Sequence, residues 1–89
     1  MWEMINYKVY ATRRSGEHMP EMVFNCISDC LTVLNHWEFQ EGKQIVTAAI
    51  YSSDKRCLTC SKESGIWEIE PSSREYFTEK EKLFSYYCK

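Results

Sequence analysis

From Ile5 to Ala11 apolar residues take every second position, whereas from Pro20 to Trp37 they recur every third or fourth. That switch of period constrains the fold more than any motif does. A repeat of two marks a strand with one buried face, and a repeat near 3.6 marks an amphipathic helix. The first pattern predicts a strand over about Met4 to Thr12, with Ile5, Tyr7, Val9 and Ala11 inward and Asn6, Lys8, Tyr10 and Thr12 outward. The polar stretch RRSGEHMP, with Gly16, reads as a loop. Pro20 suits the first turn of a helix, where its missing N–H costs nothing. The helix is expected to run to about Trp37, with Val23, Ile27, Cys30 and Leu34 central on its apolar face and Cys26, Leu31 and Trp37 beside them. Asn25, Ser28, Asp29, Thr32 and His36 fall on the other side.

Beyond Gly42 the run QIVTAAIY is strongly β-prone, and alternation places Val46, Ala48 and Ile50 on one face. Turn chemistry in SSDK and KESG sets off two further strands, about Arg56–Ser61 and Gly65–Glu70, which makes an antiparallel meander of three. After Pro71, Ser72-x-x-Glu75 has the form of a capping box that opens a second helix. Tyr76, Leu83, Phe84 and Tyr87 would line its apolar side, Glu75, Glu79 and Lys82 the other, and Lys80 would snorkel at the border. The order β-α-β-β-β-α predicts an α+β two-layer sandwich: a four-stranded, mainly antiparallel sheet, strand one beside the meander, both helices on one face. With 89 residues, 44% apolar, the chain has material for one core, hence a single compact domain over 1–89 with residues 1–3 as a mobile tail. The order after strand one is similar to the αβββα layout of double-stranded-RNA-binding domains. The likeness is one of topology, since the last helix begins SSREYF where those domains carry a basic cluster.

A net charge of −2 argues against a protein whose main work is neutralising phosphates. The basic clusters, Arg13-Arg14 near Lys8 and Lys55-Arg56, are small and read as solvated turns. MWEMINYKVY has none of the parts of a signal peptide, and no segment is long enough to span a membrane. A soluble, cytoplasmic protein is expected, and five irregularly spaced cysteines fit a reducing compartment better than a disulfide framework.

Four thiols stand in pairs, Cys26 with Cys30 and Cys57 with Cys60. Zinc needs four convergent ligands, and Cys-x-x-Cys converges only on a tight turn. On an extended segment Cys57 and Cys60 point to opposite faces. Cys26 and Cys30 share a helix face, but among Val23, Ile27 and Leu34 they read as small buried hydrophobes. No metal or cofactor is therefore expected; were there a metal, Cys26, Cys30, Cys57 and Cys60 would be its ligands, in a zinc-stabilised nucleic-acid-binding module. Catalysis is not expected either: His18 and His36 are the two imidazoles, and no nucleophile elbow or glycine-rich loop accompanies them. A small enzyme would rely on His18 with Cys57 or Ser15.

Three Trp, six Tyr and four Phe exceed what a core of this size readily hides. Exposed aromatics are enriched at protein-binding hot spots. The expected function is accordingly protein binding, as a small regulator or inhibitor of the kind phages and mobile elements carry, by analogy of type alone. The contact residues would be Tyr10, Tyr51 and Ile66 on the open sheet face, Tyr86 on the last helix, and Glu68 and Glu70 toward a basic partner.

Overall fold

A computed structural model describes residues 5–40 and 44–84. They form β1 (Tyr7–Arg13), β2 (Met22–Phe24), α1 (Ile27–Phe39), β3 (Ile45–Ser52), β4 (Cys57–Glu63), β5 (Ile66–Ile69), a 3-10 turn (Pro71–Tyr76) and α2 (Glu79–Phe84). All strands pair antiparallel in one sheet of order β2-β1-β3-β4-β5. The α+β character and the meander β3-β4-β5 agree with the sequence pattern, and β1 lies beside the meander. The strand count, the start of the first helix and the whole of the last segment differ.

Where the helix was expected to begin, Met22–Phe24 instead pairs with Tyr7–Val9 as a fifth, edge strand. Three adjacent apolar residues satisfy a strand as well as a helix turn, and here the open edge of β1 supplies backbone partners. Val23 is 55% exposed, so it was never needed for the helical stripe. α1 starts at Ile27 after an extended Cys26, and Ile27, Cys30, Leu31, Leu34 and Trp37 suffice as its buried face. These residues cover the inner side of the sheet, against Val9, Ala11, Ile50, Leu58, Trp67 and Ile69. Each large side chain so buried contributes about 1.5–3 kcal/mol. α1 runs two residues past the expected end at Trp37, and its last residue, Phe39, is 74% exposed.

β3 carries a bulge. Its partners on β1 step from Thr12↔Thr47 to Arg13↔Ile45, which leaves Val46 unpaired. Ile45 takes the inward position and Val46 is exposed, so Val46 does not share a face with Ala48 and Ile50 as alternation implied. A bulge adds local twist and ends pairing. In keeping with that, β4 pairs with β3 only as far as Ala49↔Thr59 and then turns to β5.

The last segment is broken in two. Ser72 and Glu75 form no capping box; the 3-10 turn has no side-chain cap. Ser73 is drawn instead to the sheet, its Oγ accepting the Thr59 N–H at 3.0 Å. Phe77 is buried and Tyr76, expected on the apolar side, is 60% exposed. The capping box belongs to Thr78 and Glu81: the Glu81 N–H donates to Thr78 Oγ1 at 3.1 Å and the Thr78 N–H to Glu81 Oε1 at 2.9 Å. Tyr87 lies outside the described residues, as do Met1–Met4 and the side chains of Lys80, Leu83 and Phe84.

Glu81 also fastens α2 to the sheet. Its carboxylate accepts the Tyr7 hydroxyl, the Arg56 Nη1 at 2.5 Å and the Arg56 Nη2 at 2.8 Å. Arg56 reaches Asp54 as well, through Nε at 2.9 Å, and is therefore no solvated turn residue. Burial opposes ionisation of Glu81, but the hydrogen bonds from Arg56, Tyr7 and the Thr78 backbone outweigh it and hold the carboxyl below its usual range. Burial, with Glu81 beside it, pushes the Tyr7 hydroxyl well above its ordinary value. Hydrogen bonding to Glu81 raises Arg56 further, against its burial.

Candidate binding face

α1 lies on one side of the sheet, and α2 is tied to the inward-facing Tyr7. Among the described residues no α-helix covers the other side. The strand register lays out that outer face in rows: Val23, Lys8, Tyr51 and Cys57 across four strands, then Tyr10, Ala49 and Thr59, then Thr12 and Thr47. Tyr10 and Tyr51, diagonal neighbours on β1 and β3, meet edge to face with ring centroids 4.9 Å apart and planes at 87°. Such a pair is worth about 0.5–1.5 kcal/mol beyond its buried area, and it holds both rings in one orientation. The small side chain of Ala49 gives the rings room. Beside them runs an open groove of about 500 Å³, lined by Tyr10, Thr12, His18, Thr47, Ala49 and Tyr51.

Charge is sparse here. The Lys8 ammonium stands 6.0 Å from the Tyr10 ring centroid and 3.5 Å from Glu21, and these two neighbours raise its pKa. Across the strand from Tyr51, Cys57 raises the Tyr51 hydroxyl by hydrogen bonding and charge. His18 shares a hydrogen bond with Thr12, Nδ1 to Oγ1 at 3.2 Å. The face thus presents two aromatic plates and a band of hydroxyls on one strand ladder.

Of the residues expected at the contact surface, Tyr10 and Tyr51 are brought together. Ile66 and Glu68 do point to the same face, since Trp67 and Ile69 turn inward. However, Ile66 pairs with Glu63 while Tyr51 pairs with Cys57, six residues away on β4, or about 20 Å at ~3.3 Å per residue. Glu70 is half-buried and accepts the Thr59 hydroxyl at 2.6 Å. Tyr86 lies outside the described residues.

The thiols disperse. Cys57 is exposed on the outer face, Cys60 is half-buried against the core, Cys30 is fully buried and Cys26 is disulfide-bonded, which departs from the reduced state expected of the cysteines. Burial pushes the Cys30 and Cys60 thiols up to about 12 each. Among the described residues no three His, Cys, Asp or Glu side chains are grouped to hold a metal ion. His18 sits beside Thr12, four residues along β1 from Lys8 in the row that holds Cys57, so the two are separated by about 13 Å along the strands and further across them. Sequence reasoning missed the Tyr7–Glu81–Arg56 cluster and Glu38, which accepts the Trp67 indole N–H at 3.0 Å; Thr78-x-x-Glu81 was the one local signal for the former. Among the described residues no helix is long and apolar enough to cross a membrane. Set against protein-family models, curated proteins and solved structures, the chain matches none.

Proposed function

We propose that this chain is a protein-binding module whose partner docks on the outer sheet face around Tyr10 and Tyr51, and that it acts as a small regulator or inhibitor by occupying that partner's surface. The observation that carries the reading is the edge-to-face tyrosine pair on a sheet face that, among the described residues, no α-helix covers. Rigid aromatics with polar tips are the residues most often found at the centre of interfaces, because they bury large area at small entropic cost. The neighbouring threonines offer hydroxyls to a partner's backbone, and Glu68 with Glu70 favours a basic rim on it.

Quantitative affinity capture from the source cell tests this, comparing wild type with Tyr10→Ala/Tyr51→Ala and with Phe39→Ala, which changes an exposed aromatic elsewhere. Loss of two hot-spot rings lowers recovery of the specific partner about tenfold or more, while Phe39→Ala leaves it unchanged. Equal recovery with the double variant, folded by circular dichroism, removes this face from consideration.

A further inference from the structure

The chain has five cysteines, Cys26, Cys30, Cys57, Cys60 and Cys88. Cys30, Cys57 and Cys60 are free thiols, whereas Cys26 is disulfide-bonded. Within one chain that leaves Cys88, which lies outside the described residues, as its partner.

The described ends of the two segments agree with such a bond. Cys26 is half-buried and extended, with φ −150° and ψ 159°, at the N-cap of α1. Two residues before it, Phe24 pairs with Tyr7 across the β1–β2 ladder. The Tyr7 hydroxyl donates to Glu81 on α2. The end of β2 and α2 are therefore both anchored on one residue of β1. Cys26 stands about 12 Å or less from Tyr7, one cross-strand step and two extended residues away. Cys88 follows Glu81 by seven residues, a tether of about 10 Å as helix and up to about 23 Å extended.

The other thiols are poor competitors for Cys26. Disulfide exchange needs a thiolate with access to sulfur. The Cys30 thiol is fully buried and donates to the Tyr7 carbonyl at 3.8 Å, and burial pushes both Cys30 and Cys60 up to about 12. Cys57, on the outer face, is three strand spacings from β2, or about 14 Å. There is also something for a staple to do. α2 has six residues, too few to persist as an isolated helix, and the capping box and Glu81 hold only its first turn.

We infer that Cys26 and Cys88 form a redox-controlled staple that fastens the segment after α2 to the entry of α1 and thereby stabilises α2. It closes by exchange with a low-molecular-weight disulfide such as oxidised glutathione. The two cysteine thiols give two electrons and two protons to that disulfide, which leaves as two thiols, and reduced glutathione reverses the exchange. The staple does not depend on the tyrosine face, so either can fail alone.

The purified chain is equilibrated anaerobically in reduced or oxidised glutathione buffer, quenched in acid, alkylated after unfolding and cut with trypsin. From oxidised buffer, peptides 15–43 and 83–89 are expected joined, with the alkyl label on Cys30, Cys57 and Cys60. From reduced buffer all five cysteines carry it. The effect on α2 is read at the Lys82 amide, which donates to the Thr78 carbonyl at 2.9 Å. Its hydrogen exchange is expected to quicken about tenfold or more when wild type is reduced, and in Cys26→Ser/Cys88→Ser to be equally quick in both buffers. A bond between Cys26 and Cys30, a dimer joined through Cys88, or five labelled cysteines from oxidised buffer overturns the pairing. Equal exchange at Lys82 of wild type in the two buffers overturns the staple's action on α2, whether or not the double variant folds.

Discussion

Replacing Glu81 with Gln keeps the side chain's shape, its cap to the Thr78 N–H and one acceptor oxygen, but removes the charge that faces Arg56. In the wild type that carboxylate receives two bonds from Arg56 and one from Tyr7, and Glu81 is only 5% exposed. Hydrogen bonds to a charged group contribute about 1.5–3 kcal/mol each, and breaking a buried ion pair outright costs about 3–5 kcal/mol. Gln retains part of the set, and Arg56 keeps Asp54, so the expected loss is about 2 kcal/mol. For a domain of this size that lowers the melting midpoint by about 8–16 °C. The pH dependence sharpens the test. Because the folded-state pKa of Glu81 lies below its unfolded value, near 4.3, its contribution is fully present above that value and drains away as pH falls through the folded pKa. Urea melts followed by the buried Trp37 and Trp67 at a series of pH values from 7 down to 3 should show a wide gap between wild type and Glu81→Gln at neutrality that closes in acid. Coincident curves at pH 7, or a gap that stays constant with pH, would refute the assignment of this carboxylate as the ionised clasp of α2.

The position of the capping box is checked by two single changes: Thr78→Ala should cost about 1 kcal/mol in chemical denaturation, and Ser72→Ala, at an exposed site, less than about 0.5 kcal/mol. Leu34→Ala opens a cavity under α1 at a fully buried site and should cost about 3–5 kcal/mol, leaving the domain barely folded by circular dichroism, whereas Phe39→Ala should leave its melting unchanged. Alkylation at pH 8, read by peptide mapping, should modify Cys57 first, with Cys30 and Cys60 protected by burial and by thiol pKa values of about 12 until the chain unfolds.

Local pattern carried much of this fold. The alternation Tyr7, Val9, Ala11 placed β1 and, with it, the outward Tyr10; the same logic placed Tyr51 outward on β3, and the turn residues between β-prone runs drew the meander. Burial at a fixed period needs only neighbours in sequence to be seen, which is why Ile27, Cys30 and Leu34 were legible as one helical stripe. The features that periodicity could not reach are those where a backbone or polar group found its partner far along the chain. Met22–Phe24 became a strand because β1 offered an open edge, and Ser73 left the expected helix because Thr59 had an N–H to satisfy. Tyr7 and Glu81 meet across 74 residues, and Glu38 meets Trp67 across 29. By itself, then, the sequence determined which side chains must leave water, because that depends on their own chemistry and spacing. The tertiary structure decided where hydrogen-bonding groups are paired, where β3 bulges at Val46 and parts from β4 beyond Ala49, and which tyrosines touch, because each of those depends on what another part of the chain places opposite.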